Sequence, residues 1–311
     1  GRAVVRQLAR DGFDVAVLAR GTDRVEQAAR EVEAAGRRGL GVPVDVGDWE
    51  AVDRAASRVE VELGPVAVWV NDAMASVFAP FWEIEPAEFE HATRVTYLGV
   101  VNGTRAALAR MRPRDRGHVV QVGSALAYRG IPLQSPYCGA KHAIVGFTES
   151  VRTELLHEHS RVAVSMVHMP ALNTPQFSWV RSRLPEHPQP VPPIFDPEVG
   201  ARTVGYVATH PKRSTWVGAS TVGTIVGNRL AGTLLDRYLA RSGYQSQQTT
   251  RPGLHVYGDN FEAPVPGDPG AHGDFDDVSR ARSVQAELAA RRTPAVTAAA
   301  TGGLAALAVA G

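Results

Sequence analysis

The sequence predicts an α/β protein built on a mainly parallel sheet, and three observations carry that prediction. Short valine-rich runs alternate with stretches of helical period, the pattern of repeated strand–helix–strand units. The runs are apolar on both faces, which suits strands covered by helices on each side. Apolar residues make up 44% of the 311 positions and are concentrated ahead of Ser242, enough for one sizeable core.

In chain order the strand expectations are Phe13 to Ala19, Gly39 to Val44, Val66 to Val70, His118 to Val122, Val162 to Val167 and Thr215 to Gly218. Between and after them, helices are expected over Thr22 to Ala35, Asp48 to Leu63, Pro86 to Arg112, Pro136 to Glu158, Pro197 to His210 and Thr221 to Arg241. Residues 1–241 therefore read as one domain. From Ser242 on, polar residues, glycine and proline dominate, too little apolar surface to offset the entropy of ordering, and residues 242–311 read as a tail. Its end, Ala295 to Gly311, is alanine-rich and follows Arg291-Arg292. A bilayer span needs about 20 apolar residues, so this run sits at the lower limit, and Thr297, Thr301, Gly302 and Gly303 weaken it. A weak carboxyl-terminal membrane association and a loosely helical end both remain open.

Charge narrows the partners. Lysine and arginine number 33 against 32 acidic residues, which gives no electrostatic reason to expect nucleic acid. A small uncharged substrate fits better. The single cysteine, Cys138, excludes an intrachain disulfide framework and points to a cytoplasmic compartment. His157, His159 and His168 lack metal-ligand spacing, so no metal is expected. The opening Gly1 to Leu8 is already helical in period and does not read as a signal peptide.

The candidate chemistry gathers around Pro136. Ser135-Pro136 is a helix start, with serine as the cap and proline in the first turn, so Tyr137 and Lys141 fall one turn apart on one face. Ser124 ends the His118 run, at the sheet edge where parallel strands present functional groups. A phenol with its ordinary pKa near 10 is a poor catalyst at neutrality. A neighbouring ammonium on Lys141 is expected to lower it, letting Tyr137 exchange a proton with a carbonyl or alcohol oxygen that Ser124 holds. A tyrosine–lysine pair at this spacing also occurs on ordinary exposed helices, so the pair alone does not decide.

Context does. Gly123-Ser124 followed by Tyr137-Cys138-Gly139-Ala140-Lys141 closely resembles the catalytic region of the short-chain dehydrogenase/reductase (SDR) family. Asp45-Val46 is similar to that family's adenine-contacting pair, and Asn71-Asp72-Ala73 resembles its Asn-Asn-Ala-Gly turn. Met169-Pro170-Ala171-Leu172-Asn173-Thr174 resembles its Pro-Gly-x-x-x-Thr loop, one residue shorter, whose threonine contacts the nicotinamide amide. The resemblance covers roughly residues 1 to 220. It implies a Rossmann-type doubly wound parallel sheet, an oxidoreductase of carbonyl or alcohol substrates, catalytic Ser124, Tyr137 and Lys141, and a homo-oligomer through the long helices. Cofactor contacts are implied at Asp45, Val46, Asn71, Ala73, Tyr137, Lys141, Pro170 and Thr174.

Gly1 matches the last glycine of the family's Thr-Gly-x-x-x-Gly-x-Gly phosphate loop. The expectation is a sheet without its first strand and most of that loop, with a gap between the Phe13 and Val66 strands and weak dinucleotide binding. At the end of the Phe13 strand an acidic residue would hold both ribose hydroxyls of NAD(H), but the residues are Ala19-Arg20. The guanidinium of Arg20 can face a 2′-phosphate, which favours NADP(H) over NAD(H). The family's helix asparagine is replaced at Thr96, with Asn102 out of phase, and Met74 and Ala171 stand for motif glycines. The proline-rich stretch Leu172 to Asp196, with Phe177, Trp179 and Phe195, reads either as an apolar substrate lid or as a surface loop plugged into the core. Two rival functions stay in view: a non-catalytic NADP(H)-binding sensor or scaffold, and an epimerase or dehydratase that retains its cofactor.

Overall fold

Helix α1 (Arg2–Arg10) leads into strand β1 (Val15–Ala19), and the computed structural model describes residues 1–291 from there through eight further helices. They are α2 (Thr22–Ala34), β2 (Gly39–Pro43), α3 (Trp49–Leu63), β3 (Val68–Asn71), α4 (Pro86–Thr93), α5 (Gly99–Met111), β4 (His118–Ser124), α6 (Ser135–His157), β5 (Ala163–Met169), α7 (Pro197–Thr209), β6 (Ser214–Trp216), α8 (Ala219–Ser242) and α9 (Val284–Arg291). The six strands and α2, α3, α6, α7 and α8 start and stop within two residues of the sequence expectations, because valine runs and terminal residues such as Asp48 and Pro197 mark them sharply, whereas α9 lies in the stretch expected to be tail. Asp48, for example, caps α3 by accepting from the Ala51 amide at 2.9 Å.

All six strands pair in parallel. β1 pairs with β2, while β3, β4, β5 and β6 form a four-stranded sheet in that order, and no ladder joins β1 to β3 among the described residues. β4 is buried along its whole length. Helices cover both faces. On one, Ala3, Val4 and Leu8 of α1 and Val199 and Val204 of α7 pack on Val120, Val122 and Val167. On the other, Val52 and Ala56 of α3 and Ala106 of α5 pack on Leu40 and Val42. This is the doubly wound arrangement, in which every strand's carboxyl end lies along one edge.

The long helix expected from Pro86 to Arg112 is interrupted by a single π turn, Arg94–Leu98, between α4 and α5. Thr96 sits inside that turn and is fully buried, its hydroxyl accepting from the Ala75 amide at 2.9 Å and donating to the Ala75 carbonyl at 2.8 Å. A side chain that hydrogen-bonds both backbone groups of a neighbouring segment accounts for the local widening. Thr96 thus ties the loop after β3 to the helix.

The segment after Ser242 departs from the tail expected there. Phe261 and Phe275 are 2% and 1% exposed, and Val265, Ala271 and Ala286 are also buried. Gln248–Thr249 pairs antiparallel with His187–Pro188, and the Arg280 amide donates to the Ile194 carbonyl at 3.0 Å. Sparse anchors suffice: each buried phenylalanine stabilises by about 1.5–3 kcal/mol relative to exposure, and arginines of the first helices hold the backbone between them. The Leu172 to Asp196 stretch is stitched to the same segment. Phe177 lies edge-on to both Phe78 and Phe275, so its aromatics belong to the core. The Ala295 to Gly311 run lies outside the described residues, among which no helix is long and apolar enough to cross a membrane.

Candidate active site

Ser124 is the last residue of β4 and is held by the turn that follows, its hydroxyl accepting from the Leu126 amide at 3.1 Å. α6 starts at Ser135 with Gln134 as the cap residue, one position earlier than the sequence suggested. That helix carries Tyr137 and Lys141 to the same edge. The Ser124 hydroxyl lies near enough to that of Tyr137 to pull its pKa down. The Lys141 ammonium lies 5.5 Å from the Tyr137 ring centre and donates to the Val122 carbonyl at 2.7 Å. The three groups expected to act together are therefore in one place.

Their electrostatics differ from the sequence expectation. Lys141 does not bring the Tyr137 pKa down. Burial pushes it up, the Ser124 hydroxyl pulls only partly against this, and the negative charge of Asp72 adds to the rise. Lys141 is itself pulled down to about 8 by burial, with Asp72 opposing. In a site this crowded, desolvation of each charged form outweighs the stabilisation one would lend the other. Tyr137 is thereby kept as a neutral phenol, the form that donates a proton.

Behind Ser124 stands His168, on β5 and opposite Gly123 in the strand register. It is fully buried, its Nε2 is 3.3 Å from the Tyr128 hydroxyl, and burial pulls its pKa down to about 4. Gly123 is required for this packing, since a Cβ there would lie 2.6 Å from His168 Nδ1. His118 is likewise buried, and its Nε2 pairs with the Ser165 hydroxyl at 2.8 Å.

The expected cofactor positions lie along the same edge, but not all face it. Gly1 is at its rim, its nitrogen 2.7 Å from the Asp72 carboxylate. Ala73 is exposed beside them. Asp45 turns its carboxylate onto the Gly47 amide at 2.8 Å, and the Val46 carbonyl accepts from Asn102 at 2.9 Å. Pro170 and Thr174 follow β5, both partly buried. The Arg20 guanidinium donates to the carbonyls of Asn260, Phe261 and Glu262 and does not face open space.

Asn71 points inward. Its amide nitrogen donates to Gln121 Oε1 at 2.8 Å and Thr104 Oγ1 at 3.1 Å, and its oxygen accepts from Trp69 Nε1 at 2.9 Å. The Asn71 side chain cross-ties β3 to β4 and α5. Gly103 makes room, because a Cβ there would lie 2.1 Å from Asn71 Oδ1. An open cleft of about 360 Å³ between α4 and the carboxyl-terminal segment, lined by His91, Arg94, Arg181 and Phe261, adjoins this edge away from Tyr137. Among the described residues no group of three or more His, Cys, Asp or Glu side chains is placed to hold a metal.

The profile of the short chain dehydrogenase family matches residues 1–184, more than half of the chain. The protein is a short-chain dehydrogenase. This short-chain dehydrogenase is 31% identical over 254 residues to the uncharacterized oxidoreductase YxnA of Bacillus subtilis, an alignment spanning 81% of this chain and 71% of the relative. It is 33% identical to the 2,3-dihydro-2,3-dihydroxybenzoate dehydrogenase of the same organism over 52% of this chain and 62% of that one. A similar solved structure is the alcohol dehydrogenase of the archaeon Thermococcus sibiricus, complexed with 5-hydroxy-NADP, at 25% identity and a TM-score of 0.61 over 70% of this chain and 90% of that one. The short-chain dehydrogenase is thus an oxidoreductase acting on CH–OH or C=O groups, with a fold that binds a nicotinamide cofactor. From sequence alone, Asp72 figures only as part of the Asn71-Asp72-Ala73 turn, His168 only as a metal ligand it lacks the spacing for, and Phe261 in no role.

Proposed function

We propose that this short-chain dehydrogenase is an NADP(H)-dependent enzyme that interconverts a hydrophobic carbonyl compound and its alcohol, with Ser124, Tyr137 and Lys141 as its catalytic residues. The observation that carries the reading is the Ser124–Tyr137 hydroxyl pair beside a buried Lys141, at the carboxyl edge of the sheet. The residues present fit the cofactor. The slot beside Val46 already takes an aromatic ring, that of Phe261, and Arg20 presents a planar fork where an acidic side chain would repel a 2′-phosphate. Arg20 is assigned to that phosphate, Asp45 and Val46 to the adenosine, Gly1 and Ala73 to the backbone rim, and Pro170 and Thr174 to the nicotinamide end. The bound nicotinamide supplies or accepts the hydride.

Tyr137, neutral and beside Ser124, donates its proton to the carbonyl oxygen as reduction proceeds, and Ser124 holds that oxygen. Lys141 keeps positive charge next to the phenol as the proton leaves, and its bond to the Val122 carbonyl fixes its position. The NADP(H) preference is supported by Arg20 and by the 5-hydroxy-NADP named with the archaeal relative. A homo-oligomer through the long helices belongs to the same reading and is checked by light scattering.

The test follows NADPH absorbance over a panel of hydrophobic aldehydes and ketones, comparing wild type with Tyr137→Phe. Turnover falling by about 10²–10⁴ with dinucleotide affinity retained is expected. Undiminished turnover in the variant removes Tyr137 from the chemistry.

A further inference from the structure

The segment from Tyr257 to Asp276 runs along the edge just described, and its contacts coincide with the positions assigned to the cofactor. At one end, three of its carbonyls take the donors of Arg20, at 3.0 Å for Phe261 and 2.9 Å for Glu262. Arg24, one turn into α2, donates to the carbonyls of Val265 at 2.9 Å and Gly267 at 3.0 Å. Arg2 pairs with Asp268 at 2.8 Å. The Phe261 ring is buried against Val46, Ala75 and Val95, with the His91 ring 4.5 Å away. At the other end the Gly273 amide donates to the Asn173 carbonyl, and a Cβ on Gly273 would lie 2.6 Å from the Thr174 carbonyl oxygen. One stretch of chain thus covers Arg20, Val46 and Thr174.

We propose that residues 257–273 are an internal ligand of the nucleotide groove: the carbonyls of 260–262 use the Arg20 donors that a 2′-phosphate needs, the Phe261 ring fills the slot beside Val46, and dinucleotide binds only as this strap lifts. The inference rests on the nucleotide reading given above. A guanidinium has five N–H donors in a fixed fork, and here it makes three bonds, all to neutral carbonyls. A phosphate dianion is the stronger acceptor, so the exchange is chemically downhill once the strap has opened. Because the strap belongs to the same chain, it competes at high effective concentration. Observed affinity for any ligand needing the slot is then reduced by the fraction of molecules with the strap open, and by the same factor for each such ligand.

Amide hydrogen exchange of the full chain, with and without adenosine 2′,5′-bisphosphate, reads the strap directly. Ligand is expected to strip protection from the Asn260 and Tyr257 amides, which are bonded to the Trp179 and Ser178 carbonyls at 3.0 and 2.8 Å. Calorimetry on Phe261→Ala is expected to show the bisphosphate and 5′-AMP each binding about tenfold or more tightly than to wild type, by a common factor. Asp268→Ala, which removes the ion pair with Arg2 and the bond from the Gly270 amide, loosens the strap without touching the slot and is expected to tighten both ligands to a smaller extent. Weaker binding in the two variants would make the segment a wall of the site and overturn the proposal, as would binding that leaves Asn260 and Tyr257 protected. Failure of wild type and both variants to bind either nucleotide overturns the strap and the nucleotide reading together.

Discussion

Replacing Asn71 with alanine separates two accounts of the same residue. The resemblance assigns Asn71 to the cofactor, whereas its side chain is tied inward to Trp69, Thr104 and Gln121. Asn71→Ala removes four hydrogen bonds, the longest of them to the Val100 carbonyl at 3.5 Å. Gln121 keeps its own bond to Thr104 at 2.9 Å, so the groups left without partners are Gln121 Oε1, in a fully buried residue, and Trp69 Nε1. Leaving a buried polar group unsatisfied costs about 1–3 kcal/mol, so two such groups with the accompanying void give a loss of about 3–4 kcal/mol. With a urea dependence of about 3 kcal/mol per molar for a domain of this size, the unfolding midpoint is expected to fall by about 1 M. Equilibrium urea titration followed by far-UV circular dichroism measures it, beside the dinucleotide affinity of the folded variant. An unchanged midpoint together with a large loss of dinucleotide affinity would refute the reasoning and return Asn71 to the groove.

Two further predictions concern titration. The Asp72 charge raises both Tyr137 and Lys141, so Asp72→Asn lowers both, and the limbs of the pH–rate profile for hydride transfer are expected to move to lower pH. A move upward contradicts the assigned electrostatics. His168 is held at about 4 against an ordinary 6.5, so between those values the unfolded chain takes up a proton that the fold refuses. Stability is therefore present in full above about pH 6.5 and is lost as pH falls toward about 4, by up to about 3 kcal/mol from this group. In His168→Gln that dependence is expected to flatten, read from urea midpoints at about pH 7 and about pH 4.5, and an equally steep fall in the variant assigns the acid sensitivity elsewhere.

The sheet and its helices were legible because two-sided valine runs and well-marked helix termini leave few alternatives, and the Ser124, Tyr137 and Lys141 cluster follows once β4 and α6 are placed. Directions and distant partners were not. Asn71 ends a strand, and sequence does not say whether that final side chain turns to the groove or into the sheet. Arg20 was readable as a cation at a strand end, but its carbonyl partners come from 240 residues later in the chain. Phe261 and Phe275 are isolated aromatics in a polar stretch, so composition averaged over that window hid the burial that two side chains achieve. The rise in the Tyr137 pKa depends on how much protein surrounds the hydroxyl, which spacing along a helix does not encode.

The amide tie of Asn71, Gln121 and Thr104, tightened by the absence of a side chain at Gly103, locks β3, β4 and α5 into one plate. Ser124 is carried on the end of that plate, while residues 172–196 and 254–277 are hydrogen-bonded to each other and reach the plate through apolar contacts such as those of Phe195 and Ala271. Substitutions in the cover leave the reacting groups where they are, and substitutions in the plate disturb everything at once. Rewriting the cover would change which molecules are admitted while the reacting groups stay on the plate.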